Sequence, residues 1–219
     1  MTAILVLLTV LVFLGIDLVK TRMERRRGEA VRYSTPEPFG DVRLPLGLFV
    51  GKQHTWARLT EAGELKLGVD ELLTQAIGKV DAVELPEVGV RVQTGDPVAK
   101  LHRNGRTLVV TAPVAGTIVV ANEDVERAPM ALRNDPYGSG WLVTIWPDRQ
   151  EEVTSSMKLG RQAAEWLRQE VQRLRDFLAG HTAPGELGHV LADGAHPVIG
   201  AAMELDDAGW EEFQEQFTR

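Results

Sequence analysis

Residue types able to do chemistry are sparse in this sequence and poorly spaced for it. No cysteine occurs among the 219 residues, which removes disulfides, thiolate nucleophiles, iron–sulfur clusters and thiolate zinc sites together. Any chemistry has to come from oxygen or nitrogen groups. His181, His189 and His196 with Asp193 could be drawn as a metal set, but spacings of eight and seven share no helical face and match no zinc motif. They read as loop composition. Asp206, Asp207, Glu211 and Glu212 could be drawn as paired carboxylates, yet acids are favoured at the start of a helix by its macrodipole, and that is their reading here. Gly138, Ser139 and Gly140 form too short a run for a phosphate loop or a nucleophile elbow and read as a turn. With no motif of competent spacing, the sequence predicts no enzyme, no catalytic residue, no metal and no cofactor. What remains is a basic knot in an acidic chain, His102, Arg103, Asn104, Gly105 and Arg106. It is expected to be an exposed tip that contacts a partner.

The knot sits between two strand-like runs, 98–103 and 106–111. Asn-Gly between such runs is the strongest short-range hairpin signal, because a type I′ turn needs positive φ at both central residues. Around this hairpin the pattern is one of short strands and turns. Leu65, Leu67 and Val69 alternate with Lys66 and Gly68, and Asp70 is placed to cap a short helix, DELLTQAI, that Gly78 stops. Further strands are expected over 80–85, 88–92 and 117–121, with turns at 94–97 and 112–116.

Near residue 151 the periodicity changes. A helix is expected over 157–179, with Ala163, Trp166, Leu167, Val171, Leu174, Phe177 and Leu178 spaced by threes and fours, charge on the other face and Gly180 as its stop. A Gly- and Pro-punctuated loop, 181–205, precedes a last helix over 206–217 that carries Trp210, Phe213 and Phe217 on one stripe. Both stripes need cover, from the strands or from a partner. The loop is long for a compact domain, which leaves an outward reach of the last helix to a neighbouring subunit open beside packing on the strands, and Trp210, Phe213 and Phe217 join the knot as candidate partner-binding residues.

The other end of the chain is different again. Composition is ordinary, 44% hydrophobic and 25% charged, which excludes wholesale disorder and a polytopic membrane protein. The net charge of −7 is uneven: residues 1–30 sum to +2 and residues 31–219 to −9. So acidic a body argues against a nucleic-acid surface. Residues 3–19, AILVLLTVLVFLGIDLV, would cover about 25 Å as a helix, enough to span a ~30 Å hydrocarbon core with Lys20 and Arg22 snorkelling. Asp17 can pair with Lys20 three residues on. A cleaved signal peptide needs cations before the run and a small-x-small site after it. Here all the cations follow. An uncleaved anchor is expected, with the body on the cytoplasmic side of the inner membrane. The expected organisation is an anchor and basic juxtamembrane segment at 1–27, a Pro-containing linker at 28–45, a strand-rich domain at 46–150 and a helical extension at 151–219.

Within 46–150 the sequence resembles the H protein of the glycine cleavage system, a lipoyl carrier. The matching pieces are His54, Thr55 and Trp56; Leu67, Gly68, Val69 and Asp70; the stretch 78–89 ending ELPEVG; Gly95 and Asp96; APVAG at 112–116; and NDPYGSGWL at 134–142. The resemblance implies a mainly β barrel-sandwich hybrid of two short sheets, here an α+β chain with an N-terminal transmembrane helix and C-terminal α-helices. It also implies a site. In the carriers a lysine at the hairpin tip, seven residues before the alanine of Ala-Pro-Val, receives the lipoyl group. Seven residues before Ala112 stands Gly105, which has no amine to acylate, and the flanking Arg103 and Arg106 stay protonated and are poor nucleophiles. His102 stands where the carriers usually have an acid, and the nearest lysine, Lys100, belongs to a strand. The sequence therefore suggests a membrane-anchored, non-lipoylated scaffold or accessory subunit of a membrane protein complex, respiratory or photosynthetic among the hosts it admits. Two alternatives stay open: a carrier in a glycine-cleavage-like or lipoate-dependent system, acting through Lys100 or through acyl-group handling, and a membrane-fusion-type adaptor.

Overall fold

Short alternating runs make short strands here, and each glycine or proline turn ends one. The computed structural model of the chain describes residues 30–31, 44–182, 191–192 and 196–218. In chain order the first strands are β1 (Ala30–Val31), β2 (Leu44–Pro45), β3 (Phe49–Val50), β4 (Thr55–Leu59) and β5 (Leu65–Val69). Helix α1 (Glu71–Ile77) precedes β6 (Ala82–Glu84), β7 (Arg91–Val92), β8 (Pro97–Arg103), β9 (Arg106–Thr111) and β10 (Gly116–Ala121). Then come α2 (Glu123–Arg127), α3 (Ala131–Asn134), β11 (Trp141–Pro147), α4 (Gln150–Ser156), β12 (Lys158–Leu159) and the long α5 (Gly160–Gly180). Last are β13 (Leu191–Ala192), β14 (His196–Pro197), a 3₁₀ turn at Ala201–Glu204 and α6 (Asp207–Phe217).

A seven-stranded antiparallel sheet runs β12-β3-β4-β5-β11-β10-β7, and a three-stranded one runs β6-β8-β9. The sequence places the strands well in the middle of the chain and less well at its turns. Strands expected at 80–85 and 88–92 shrink to Ala82–Glu84 and Arg91–Val92, because Pro86 lacks a donor and Gly89, at φ 93°, turns the chain out of the ladder. Helix α1 forms as expected: Asp70 Oδ1 accepts from the Leu73 N–H at 2.9 Å, Gly78 ends it at φ 70°, and Leu72, Leu73, Ala76 and Ile77 are buried. The helix expected over 157–179 starts later. Lys158 and Leu159 pair with Val50 and Phe49, so their backbone completes a sheet edge, and Gly160, at φ 59°, turns the strand into the helix.

The pieces expected as a domain at 46–150 and an extension at 151–219 thus share a sheet, and they also share a core. Leu72, Leu101, Leu108 and Val110 lie in one buried cluster with Leu167, Leu174, Phe177, Trp210, Phe213 and Phe217. Of the two alternatives the sequence leaves open, the last helix takes packing on the chain's own strands and not an outward reach. Burying each large side chain stabilises by about 1.5–3 kcal/mol, and docking on the chain's own sheet carries none of the cost of bringing two molecules together. Trp210, Phe213 and Phe217 are 8%, 0% and 1% exposed, so their rings face the chain itself. The expected anchor at 3–19 lies outside the described residues, as do His189 and Asp193; among the described residues no helix is long and apolar enough to cross a membrane. His181 lies 3.0 Å from Glu212 Oε2, a contact between α5 and α6.

Candidate functional site

The β8–β9 hairpin builds the first site. Its register sets Arg103 opposite Arg106 and His102 opposite Thr107, leaving Asn104 and Gly105 as the turn, at φ 48° and 78°. That is the pair of positive φ values the Asn-Gly signal requires. A Cβ built at Gly105 meets nothing within 4 Å, so the tip is open space with no amine on it. Asn104 and Gly105 are exposed; the arginines beside them are only partly so.

This corrects the expectation of an exposed basic knot. Arg103 Nη1 donates to the carbonyl of Ile77, at the end of α1. The Arg103 guanidinium fits between Gly78 and Gly200 because neither carries a side chain; a Cβ at Gly200 would come within 2.8 Å of it. Arg106 Nη2 donates to Leu205 O at 2.5 Å, Nη1 reaches Met203 O at 3.3 Å, and Asp207 Oδ1 lies 3.3 Å away. Its guanidinium also lies 5.4 Å from the centre of the Trp210 ring. The hairpin arginines are therefore the clasp for residues 200–210. His102 turns the other way: Nδ1 lies 2.9 Å from Thr107 Oγ1 and Nε2 2.9 Å from Glu84 Oε1, while Lys100 Nζ sits 3.1 Å from Glu84 Oε2. Lys100 first, and His102 after it, hold the exposed Glu84 carboxyl below its ordinary range.

The second site was not singled out by the sequence. The β4–β5 ladder pairs Thr55 with Val69, which places His54 opposite Asp70, and Asp70 N–H donates to His54 O at 2.9 Å. Asp70 then does two jobs: Oδ1 caps α1 and Oδ2 lies 2.7 Å from His54 Nδ1. On the other side, His54 Nε2 faces Glu170 Oε2 of α5 at 3.4 Å, an ion-pair separation without hydrogen-bond geometry. Arg173 Nη1 holds the same carboxylate from the surface at 3.1 Å. Trp166 and Phe217 flank the imidazole with ring centres at 5.0 and 6.0 Å. Thr55 Oγ1 donates to Thr111 O, and Thr111 Oγ1 to Thr218 O, each at 3.4 Å. Barrel, α5 and the end of α6 thus converge on one buried histidine.

Burial by itself would lower the His54 pKa, but the charge and hydrogen bond of Asp70, with the nearby Glu170 carboxylate, outweigh it and raise the pKa to about 9. Burial first, and the Asp70 charge after it, keep the phenol of Tyr137 well above its ordinary value. His54 is an imidazolium at neutral pH, and its φ of 56° is rare for a residue with a side chain. The surrounding ion pairs and rings hold it there. A signal for the site does exist in the sequence: Glu170 occupies the apolar stripe of α5, three residues after Leu167 and four before Leu174. A carboxylate there demands a buried cation, and His54 supplies it.

Comparison with known proteins bears on both sites. The model of the family described as Glycine cleavage H-protein matches residues 48–170, a span that includes the hairpin, His54, Asp70 and Glu170. A probable glycine cleavage system H protein of Pyrococcus abyssi is 31% identical over 129 residues, 59% of this chain and 96% of that protein. The glycine cleavage system H protein of Idiomarina loihiensis is 37% identical over 110 residues, 50% of this chain and 85% of its own. Among solved structures, a glycine cleavage system H protein from Mycobacterium marinum aligns over 58% of this chain and 98% of that one, at 25% identity and a TM-score of 0.49.

Proposed function

Because the chain belongs to the glycine cleavage H-protein family, we propose that it is a member without the acyl-carrying step, serving as a membrane-anchored scaffold or accessory subunit of a membrane protein complex. One observation carries the reading. At the position the resemblance assigns to the lipoyl-lysine stands Gly105, in a left-handed turn, between two arginines committed to Ile77, Met203 and Leu205. A carrier arm must offer a primary amine on a tip free to visit several partners. This tip offers no amine and is bound to the chain's own carboxy-terminal segment. The apolar run at 3–19 and the cations that follow it support anchorage with the body on the cytoplasmic side, and an energy-converting complex, respiratory or photosynthetic, is the class of host we favour.

The test is intact mass. Native protein, and protein incubated with a lipoate ligase and lipoate, should both show the unmodified mass, while mild-detergent purification should bring other subunits with it. A lipoyl adduct would overturn the reading and favour the second one, a carrier in a glycine-cleavage-like system. That reading draws on Lys100, half exposed on β8, and peptide mapping would then have to place the adduct there.

A further inference from the structure

The sheet edge formed by β3, β12 and the first turn of α5 carries an unusual combination of residues. Leu46 and Leu159 are 53% and 44% exposed. Leu159 pairs with Phe49 on the outermost strand of the seven-stranded sheet, and Leu46 lies in the turn that leads from β2 into β3. Around them stand Lys52, Lys158 and Arg161. Burial first, and the nearby Lys52 ammonium after it, lower the Lys158 pKa against the opposing charge of the buried Glu170, and the Lys158 ammonium lies 5.0 Å from the centre of the Trp166 ring. Arg161 stands in the first turn of α5, which has no acidic residue, although a helix start disfavours cations. The segments that meet here, 42–60 and 153–164, contain no Asp or Glu in a chain that has 31. The opposite sheet edge, around β10 and β7, has Glu87, Glu123 and Asp124 close by in sequence. Exposed apolar side chains occur at that edge too, Val88 at 61% and Val120 at 43%, but acids stand beside them, so charge is what separates the two edges and only the β3–β12 edge joins exposed leucines to cations.

We propose that this edge rests on an anionic lipid surface, Leu46 and Leu159 entering the headgroup layer and Lys52, Lys158 and Arg161 facing lipid phosphates. Exposed leucines ringed by cations are what an interfacial surface requires. Chain path supplies the second argument. Leu46 directly follows β2, which pairs with β1, and Ala30 of β1 is eleven residues after Val19, the end of the apolar run. Eleven residues reach at most about 40 Å. The inference rests on the anchorage proposed above: a body on so short a leash presents the edge where the leash joins it.

The absence of cysteine makes the test clean, since each introduced thiol is unique. The full chain carrying Leu46→Cys, Leu159→Cys or Val88→Cys is labelled with an environment-sensitive fluorophore and reconstituted into phosphatidylcholine nanodiscs with or without phosphatidylglycerol. Quenching by a headgroup spin-labelled lipid is then read at each position. Expected are strong quenching at 46 and 159 and weak quenching at 88, a drop on removing the anionic lipid or raising salt, and a loss of about fivefold in surface occupancy for each cation reversed by Lys52→Glu or Arg161→Glu. Equal quenching at all three positions overturns the proposal, as does an insensitivity to lipid charge, which would point to an acidic protein partner at this edge. Alkaline carbonate extraction scores anchorage separately: a chain that is extracted but still shows the position-dependent quenching refutes the anchor and keeps the lipid face.

Discussion

At the hairpin tip the carboxy-terminal segment is held by Arg106, which donates to backbone carbonyls, whereas at His54 it is held by an imidazolium between two buried carboxylates. Both contacts join the same two parts of the chain, yet they respond to different perturbations. Carbonyl acceptors do not titrate and Arg106 keeps a partly wet side chain, so the tip clasp is modest in strength and indifferent to pH. The histidine is dry, and its charge is affordable only while both carboxylates face it, so the junction is stronger and proton-dependent. The tip is where the chain departs from the acyl-carrier pattern that its resemblance implies, and the departure goes with a carboxy-terminal segment that occupies the tip's flanks.

Removing the imidazolium should have the largest effect. His54→Asn keeps a residue that tolerates positive φ but leaves Asp70 buried without its cation and Glu170 with Arg173 alone, and it should cost on the order of 3–5 kcal/mol in chemical denaturation. A cost below about 1 kcal/mol would show that the junction carries no more than the tip.

Changing pH should do part of the same work without a mutation. The folded His54 pKa of about 9 lies above its ordinary 6.5, so the stabilisation it supplies is complete below 6.5 and is lost as pH rises through about 9. The denaturation midpoint of the wild type should fall across that window more steeply than that of His54→Asn. Parallel curves would remove His54 from the account.

A smaller loss is expected at the tip. Arg106→Ala removes hydrogen bonds from a charged donor to Met203 and Leu205 and should cost about 1–3 kcal/mol, with no change in the pH profile. Amide hydrogen exchange should rise over 200–210 and stay unchanged around His54. Exchange rising equally at both places would make the two contacts one cooperative unit.

The smallest effect is expected at Gly105→Ala, where open space surrounds the Cβ and only the positive φ of 78° resists it. It should cost about 1 kcal/mol, read from the melting curve, and leave exchange over 200–210 as in the wild type.

The sequence made the hairpin and α1 legible because their determinants are local: Asn104 and Gly105 accept positive φ, and Asp70 caps its own helix. The lipoyl position was equally legible, since counting from Ala112 needs only linear spacing once the resemblance is seen. The extra strand at Lys158–Leu159 was not, because two residues show no period and what they pair with lies more than a hundred positions away. Arg103 and Arg106 were read as exposed for a related reason: charge signals exposure on average, and the carbonyls that capture these guanidiniums belong to residues 77 and 203–205, which no local pattern connects to the tip.

By itself the sequence determined the hairpin, α1, the missing amine at Gly105 and the need of two apolar stripes for cover, since backbone preference and hydrophobic periodicity are properties of neighbouring residues. Only the tertiary structure decided that the cover is the chain's own barrel, that the tip is a clasp, and that His54, Asp70 and Glu170 form one charged centre. Those outcomes depend on which distant groups share a space without water, where an ion pair between residues 54 and 170 is fixed by packing and not by spacing.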